Sequence, residues 1–129
     1  MPPAPKDLSR RHLTLGEKGE TAALRFLKNE GYQILEQNFR TPIGEIDIVA
    51  REGETLVFVE VKTRSGIAFG FPQDAVGKQK QFKITQVALL YLSSINVAPC
   101  HCRFDVVAVQ KAFKGYHVEL IRNAFEMAV

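Results

Sequence analysis

The sequence has only two cysteines, and they stand two positions apart. Cys100 and Cys102 flank His101, and this C-x-C spacing differs from the paired spacings of structural zinc sites. Zinc is therefore not indicated, and two reduced thiols near the start of a strand explain the pair better. No stretch approaches the roughly 18 consecutive apolar residues of a membrane span, and residues 1–11 lack the apolar segment of a signal peptide. We therefore expect a cytoplasmic protein without a membrane segment.

Length and charge narrow the class of protein further. The 129 residues fit one domain, and 46% hydrophobic with 24% charged residues is typical of a globular protein. Residues 1–13 combine prolines with basic residues and have no apolar period, which predicts a flexible basic arm before a single domain over 14–129. The formal net charge of +3 permits a polyanionic partner such as nucleic acid without requiring one.

Two hydrophobic periods alternate along the chain. Residues 15–30 carry apolar side chains at helical spacing, with Thr14 as a candidate N-cap and Gly31 as the stop. A period of two predicts strands over 32–39, 45–50 and 56–63, and Asp74 can cap a second helix that runs to about residue 94. Strands over 103–109 and 116–121 complete the order αβββαβ plus a C-terminal strand. The expected fold is α/β or α+β, a mixed central sheet flanked by helices.

Acidic side chains share one face of two neighbouring strands. Alternation places on one face of the second strand Glu45, Asp47 and Val49, and on the other face Ile46, Ile48 and Ala50. One face of the third strand carries Leu56, Phe58, Glu60 and Lys62. A hairpin closed by a four-residue loop over 52–55, with Arg51 opposite Leu56, would put Asp47 directly opposite Glu60 and Glu45 opposite Lys62. A two-residue loop is expected to make the Asp47 contact diagonal, with both acids still on one face.

A divalent metal ion would offset the repulsion between Asp47 and Glu60. Carboxylates directly opposite each other repel unless a cation lies between them, and Mg²⁺ prefers carboxylate and carbonyl oxygens, with Mn²⁺ as a substitute. We therefore predict that Asp47 and Glu60 bind the ion, together with the Val61 carbonyl. Such an ion lowers the pKa of its water for in-line attack on phosphorus, and Lys62 could orient the nucleophile or stabilise the developing charge. The competing interpretation is an exposed strand end with a weak ion pair between Glu60 and Lys62.

Residues outside these two strands could complete the site. Glu20 falls on the flank of the apolar stripe of the first helix, where it either reaches the sheet or stays at the surface. Near the start of the second helix, Lys78, Gln79 and Lys80 could bind phosphate, or could form a solvated helix face. Arg64, just beyond Lys62, is predicted to bind nucleic acid with them.

Three further features have two interpretations each. Phe69 and Phe71, in a glycine-rich loop over 64–72, could stack on unpaired bases, or could bury in the core or in a homodimer interface. Asp105 could support the site from behind, or could be a buried acid paired with an arginine or a backbone amide. Glu45 could instead be a structural partner of Lys62 or Arg64.

The D…E-x-K pattern of Asp47, Glu60 and Lys62 resembles the PD-(D/E)xK nuclease superfamily, whose restriction endonuclease-like core has the same element order. More closely, the segments GEKGE at 16–20, GEID at 44–47, FVEVKTR at 58–64 and RFDVV at 103–107 resemble the bacterial YraN family. That family is itself similar to archaeal Holliday-junction resolvases. The resemblance implies metal binding by Asp47 and Glu60, a catalytic role for Lys62 and an accessory one for Glu20. Ile46 stands where the superfamily's name has proline.

These observations predict a Mg²⁺-dependent endonuclease that hydrolyses phosphodiester bonds in DNA, at branched or single-stranded sites. Resemblance to the resolvases adds a possible homodimer. The alternative is a non-catalytic module that keeps the nuclease fold to bind nucleic acid.

Overall fold

The computed structural model describes residues 12–65 and 76–128, in which two helices flank a five-stranded sheet. The elements in chain order are α1 (Leu15–Asn29), β1 (Gln33–Thr41), β2 (Gly44–Glu52), β3 (Thr55–Arg64), α2 (Lys78–Ile95), a 3₁₀ turn (Pro99–His101), β4 (Cys102–Lys111) and β5 (Tyr116–Phe125). This is the predicted order αβββαβ plus a C-terminal strand, so the predicted fold class is confirmed. Neither helix is long and apolar enough to cross a membrane.

Local chemistry sets where the helices begin. The Thr14 hydroxyl accepts the Glu17 N–H at 3.1 Å while the Glu17 carboxylate accepts the Thr14 N–H at 3.3 Å, a reciprocal capping box that confirms Thr14 as the N-cap. The second helix begins later than the sequence suggested, with Gly77 as its N-cap residue and no side-chain cap. Asp74, the predicted cap, lies outside the described residues, as do Phe69, Phe71 and residues 1–11 of the predicted arm.

The sheet is mixed because one of its four strand pairings is parallel. Its strands are ordered β1-β2-β3-β4-β5, and only β3 and β4 run in the same direction. That pairing requires a long crossover, which contains α2, whereas the antiparallel neighbours are joined by short turns. The central strand of the sheet is β3, which lies between β2 and β4. A helix packs on each face of the sheet.

Each face of the sheet has its own apolar core. Leu56 and Phe58 of β3 pack with α2 residues such as Val87 and Leu92. Val57 and Val59, which alternate with them, pack with α1 residues such as Ala23 and Leu27. A strand that is buried on both faces is continuously apolar, and the part of β3 that contacts both cores, Leu56 to Val59, follows this rule. The apolar run ends at Glu60, where the strand begins to line clefts instead of the two cores.

Candidate active site

The predicted acids lie at one end of the β2–β3 hairpin, where the first turns of both helices approach the sheet. Two adjoining clefts meet there, and both are lined by Asp47, Glu60 and Lys80. The cleft on the α1 side also contains Glu20, Val61 and Lys62, and its volume is about 610 Å³. The cleft on the α2 side also contains Glu45, Gln79 and Lys83. We call the pair of carboxylates shared by the clefts, Asp47 and Glu60, the acid pair.

The register of the hairpin brings the acid pair together. Arg51 lies opposite Leu56, as predicted, but Glu52 also pairs with Thr55, so the turn has two residues rather than four. The shorter turn keeps the same register, because two more residues pair without shifting the strands; the expected diagonal offset was wrong. The pairing ends at Ile48 and Val59, so Asp47 and Glu60 are the first residues beyond the paired part of the hairpin.

Asp47 interrupts the regular pairing of β2 with β3. Its Oδ2 accepts the Val61 N–H at 2.8 Å, although a continued ladder would set residue 61 against Ile46. Because this bond favours the ionised carboxylate, it opposes the increase in the pKa of Asp47 that burial causes. The Val61 amide therefore holds one end of the acid pair in place, which is a role that the sequence did not suggest for Val61.

Strand alternation fails at the same point in β2. Ile46 was expected on the face of Ile48, but it packs on the α2 side with Val49, whereas Ile48 packs on the α1 side. Asn38 lies between the paired residues Gln37 and Phe39 of β1, just as Asp47 lies between their partners in β2, and Asn38 has a positive φ of 53°. Asparagine tolerates this left-handed conformation better than most residues. The side chains of β2 therefore change faces between Ile46 and Ile48. The alternation of apolar and polar residues in the sequence does not reveal this change.

Glu60 is a buried carboxyl with two close neighbours of opposite effect. Its side chain is 7% exposed, and its Oε1 lies 2.5 Å from the Nζ of Lys80. Burial, and then the charge of Asp47, raise the pKa of Glu60 to about 7, against the opposing effect of Lys80. Hydrogen bonding to Glu60 in turn raises the pKa of Lys80. Lys80, predicted to bind nucleic acid, is thus an ion-pair partner of the acid pair in this structure.

Glu20 reaches the acid pair from α1. Its Oε1 is buried and has no hydrogen-bond partner among the described residues. Burial, and then the charge of Asp47, raise the pKa of Glu20, while a hydrogen bond with Asn38 lowers it. The helix comes this close because residue 19 is glycine: a Cβ there would lie 2.0 Å from the Oγ1 of Thr63.

The donor set fits a hard divalent cation. Every candidate ligand is an oxygen, and the unpaired oxygen of Glu20 lacks the partner that a buried polar atom normally has. Within residues 12–65 and 76–128, no three acidic, histidine or cysteine side chains are already gathered as a metal-binding group. Mg²⁺ does not need such a group, because it commonly binds through one or two carboxylates and retains several waters.

Of the other predicted site residues, some line the two clefts with the acid pair and others lie outside them. Lys62 lines the α1-side cleft and Gln79 the α2-side cleft, each together with the acid pair. Lys78, the first residue of α2, is exposed and lines a separate shallow cleft beside Gln79. Arg64 ends β3 and is partly buried. The partner of Glu45 is Arg40 on β1, at 3.0 Å, where the sequence suggested Lys62 or Arg64.

Asp105 belongs to a separate buried network. It is fully buried and accepts hydrogen bonds from Arg103 Nε at 2.9 Å, from the Tyr32 hydroxyl at 2.8 Å and from the Asn123 N–H at 2.9 Å. These are the arginine and the backbone amide of the structural interpretation, which is confirmed. Its acceptor sites are taken by the fold, so the candidate active site does not include Asp105.

Comparison with known proteins gives one family. Residues 19–109 match the family model described as Uncharacterised protein family UPF0102. A UPF0102 protein of Syntrophus aciditrophicus (strain SB) is 48% identical over 118 residues, which cover 92% of this chain and 93% of that protein. One from Desulfosudis oleivorans is 53% identical over 111 residues, 86% and 89% of the two chains. Among solved structures, Pyrococcus furiosus SfsA in complex with Ca²⁺ is similar at 13% identity and a TM-score of 0.39, over 95% of this chain and 73% of that one.

Proposed function

Since the chain belongs to the UPF0102 family, the YraN-type group that its sequence resembles, we propose that it is a metal-dependent endonuclease that hydrolyses phosphodiester bonds in DNA. The expected substrate is branched or single-stranded DNA. The observation that carries the proposal is the acid pair itself: a buried Glu60 beside Asp47, in a cleft that Glu20 also lines with its unpaired oxygen buried. Folding alone does not require two carboxyl groups to be buried side by side, because burial and mutual repulsion both oppose it.

The roles follow from where each group lies. Asp47 and Glu60 would hold Mg²⁺, or Mn²⁺, with Glu20 and the Val61 carbonyl as accessory oxygens. A bound ion of this kind supplies a polarised phosphoryl oxygen and a water of lowered pKa. The Val61 N–H keeps Asp47 oriented, which preserves the geometry that catalysis needs. The Lys62 ammonium lines the same cleft and would stabilise negative charge that develops on the phosphate.

One observation favours the alternative, a nucleic-acid-binding module without turnover. Lys80 already neutralises Glu60 through the 2.5 Å ion pair, so the fold can tolerate the acid pair without a metal. For the nuclease, this ammonium must release the Glu60 oxygen before that oxygen can act as a ligand. In the non-catalytic module, the pair would persist when nucleic acid is bound.

A cleavage panel separates these two functions. Branched, single-stranded and duplex DNA are incubated with Mg²⁺ or Mn²⁺ and with wild type, Glu60→Gln or Lys62→Met. Matched controls are Glu54→Gln and Lys114→Met, the same chemical changes at exposed turn residues outside the clefts. We expect the controls to cut like wild type and the site variants to lose about a hundredfold or more in rate, as removal of a catalytic group typically does.

Other outcomes overturn the proposal. Binding without cutting in every protein would establish the module instead. Equal cutting by wild type and by both site variants would show that a contaminating nuclease, rather than the acid pair, is responsible.

A further inference from the structure

An exposed aromatic ring stands on the outer face of α2. Phe82 is 50% exposed, and with Lys78, Gln79 and Lys83 it lines a shallow cleft of about 440 Å³. A half-exposed phenylalanine loses the free energy that burial would give, and its ring has no polar atom of its own to interact with water. The ring is therefore available to a partner that supplies a flat apolar surface. We call these four residues the ring patch.

The ring patch is continuous with the candidate active site. Gln79 and Lys83, which border Phe82, also line the cleft that contains Asp47 and Glu60. A single ligand could therefore touch the ring and reach the acid pair without leaving the surface. The side chains along this path are an amide and an ammonium, which can both donate hydrogen bonds to phosphate oxygens.

The charge of the ring patch selects the kind of partner. Its two ionised side chains, Lys78 and Lys83, are both cationic. Charge of one sign beside an exposed ring favours a polyanionic partner, whereas a surface that docks another protein has no such requirement. Aromatic rings set among cations are how proteins hold unpaired nucleotides, because the ring stacks on a base while the cations pair with the backbone. Leu90, at 47% exposure farther along α2, lies outside the ring patch and offers no ring.

We propose that the ring patch is a binding site for an unpaired nucleobase, which stacks on Phe82 while Lys78 and Lys83 contact the adjoining phosphates. This inference rests on the proposed nuclease function, because the stacked base would belong to the strand whose phosphate reaches the acid pair. The preferred substrate class is then nucleic acid with unpaired nucleotides next to the scissile bond. A fully paired duplex has no base free to stack and lacks this contact.

The test measures binding in the absence of divalent metal, so that cutting does not interfere. A fluorescein-labelled single-stranded oligonucleotide and a blunt duplex are titrated with wild type, Phe82→Ala, Phe82→Leu and Phe82→Tyr. Leu90→Ala is the matched control for loss of an exposed apolar side chain on the same helix. An oligonucleotide that contains 2-aminopurine reports stacking directly, because its fluorescence is quenched when it stacks.

Phe82→Ala should weaken single-strand binding by about 5- to 150-fold, the range for loss of one stacked base. Phe82→Leu should weaken single-strand binding nearly as much as Phe82→Ala, because leucine cannot stack on a base. Phe82→Tyr and Leu90→Ala should both bind the single strand within about twofold of wild type. Duplex binding should hardly change in any variant, and only proteins with a ring at position 82 should quench 2-aminopurine. Circular dichroism confirms that each variant is folded.

Three outcomes would overturn the inference. Full affinity in Phe82→Leu would show an apolar contact without stacking, and an equal loss on duplex would show a general effect on binding. Dissociation of an oligomer in Phe82→Ala, seen by light scattering, would assign the ring to a second copy of the chain. Failure of the nuclease proposal would look different, since no protein would cut in the cleavage panel with Mg²⁺ or Mn²⁺ while the affinity ratios measured without metal stayed as expected.

Discussion

The affinity of the acid pair for Mg²⁺ should depend steeply on pH near neutrality. Glu60 must lose its proton to bind a divalent ion, and burial beside Asp47 raises its pKa to about 7. A carboxyl with that pKa is ionised in about one molecule in ten at about pH 6 and in about nine in ten at about pH 8, so affinity should rise about tenfold between them. A glutamate with its ordinary pKa would give almost constant affinity over that range.

Isothermal titration calorimetry measures both the affinity and the proton that metal binding displaces. At about pH 7, repetition in buffers of different ionisation enthalpy should show about half a proton released for each ion bound. Glu60→Gln should abolish the pH dependence. Lys80→Met should move its midpoint to higher pH, because Lys80 lowers the pKa of Glu60. A flat affinity from about pH 6 to 8 in wild type would refute the reasoning, since Glu60 would then either ionise normally or not bind the ion.

Three further predictions concern stability. Gly19→Ala should lower the free energy of unfolding in urea by about 1 to 3 kcal/mol, because the added Cβ would push α1 away from Thr63. The same shift would move Glu20 and weaken Mg²⁺ binding. Unchanged stability would contradict the close contact between Gly19 and Thr63. Because the pKa of Glu60 is raised in the folded protein, this carboxyl loses its proton more readily in the unfolded chain. The metal-free protein should therefore lose up to about 3 kcal/mol of stability as pH rises from about 4.5 to 7. Glu60→Gln should not show this dependence on pH. Asp105→Ala should cost about 3 to 5 kcal/mol, because the Tyr32 hydroxyl and the Asn123 N–H lose their acceptor and the half-buried Arg103 loses one of its two carboxylate partners. Mg²⁺ affinity in the folded protein should stay within about twofold of wild type.

Local and pairwise rules account for what the sequence predicted correctly. The cap at Thr14 depends on residues three apart, and the element order depends on periodicity within short segments. The opposition of Arg51 and Leu56 follows from the glycine-containing turn between two strands of clear pattern. Each of these features is decided by neighbours in the chain, so a single sequence contains the necessary information.

The features that the sequence missed depend on distant segments. The pair between Lys80 and Glu60 joins residues twenty positions apart, and it forms only because the crossover returns α2 to the hairpin. The reversal of faces at Ile46 occurs beside the left-handed Asn38 of the neighbouring strand. Alternation within β2 alone gives no sign of it. Where a site is built from a strand irregularity and a helix terminus, the sequence identifies its acids but not the groups that hold them.

The central claim is that Asp47 and Glu60 together bind a divalent ion. Crystals of the protein soaked in Mn²⁺ and measured above the manganese absorption edge test it directly, because the anomalous signal locates the metal. The account predicts a peak between these two carboxylates, with the Lys80 ammonium displaced from Glu60. A structure with Lys80 still paired to Glu60 and manganese bound elsewhere, or nowhere, would contradict it.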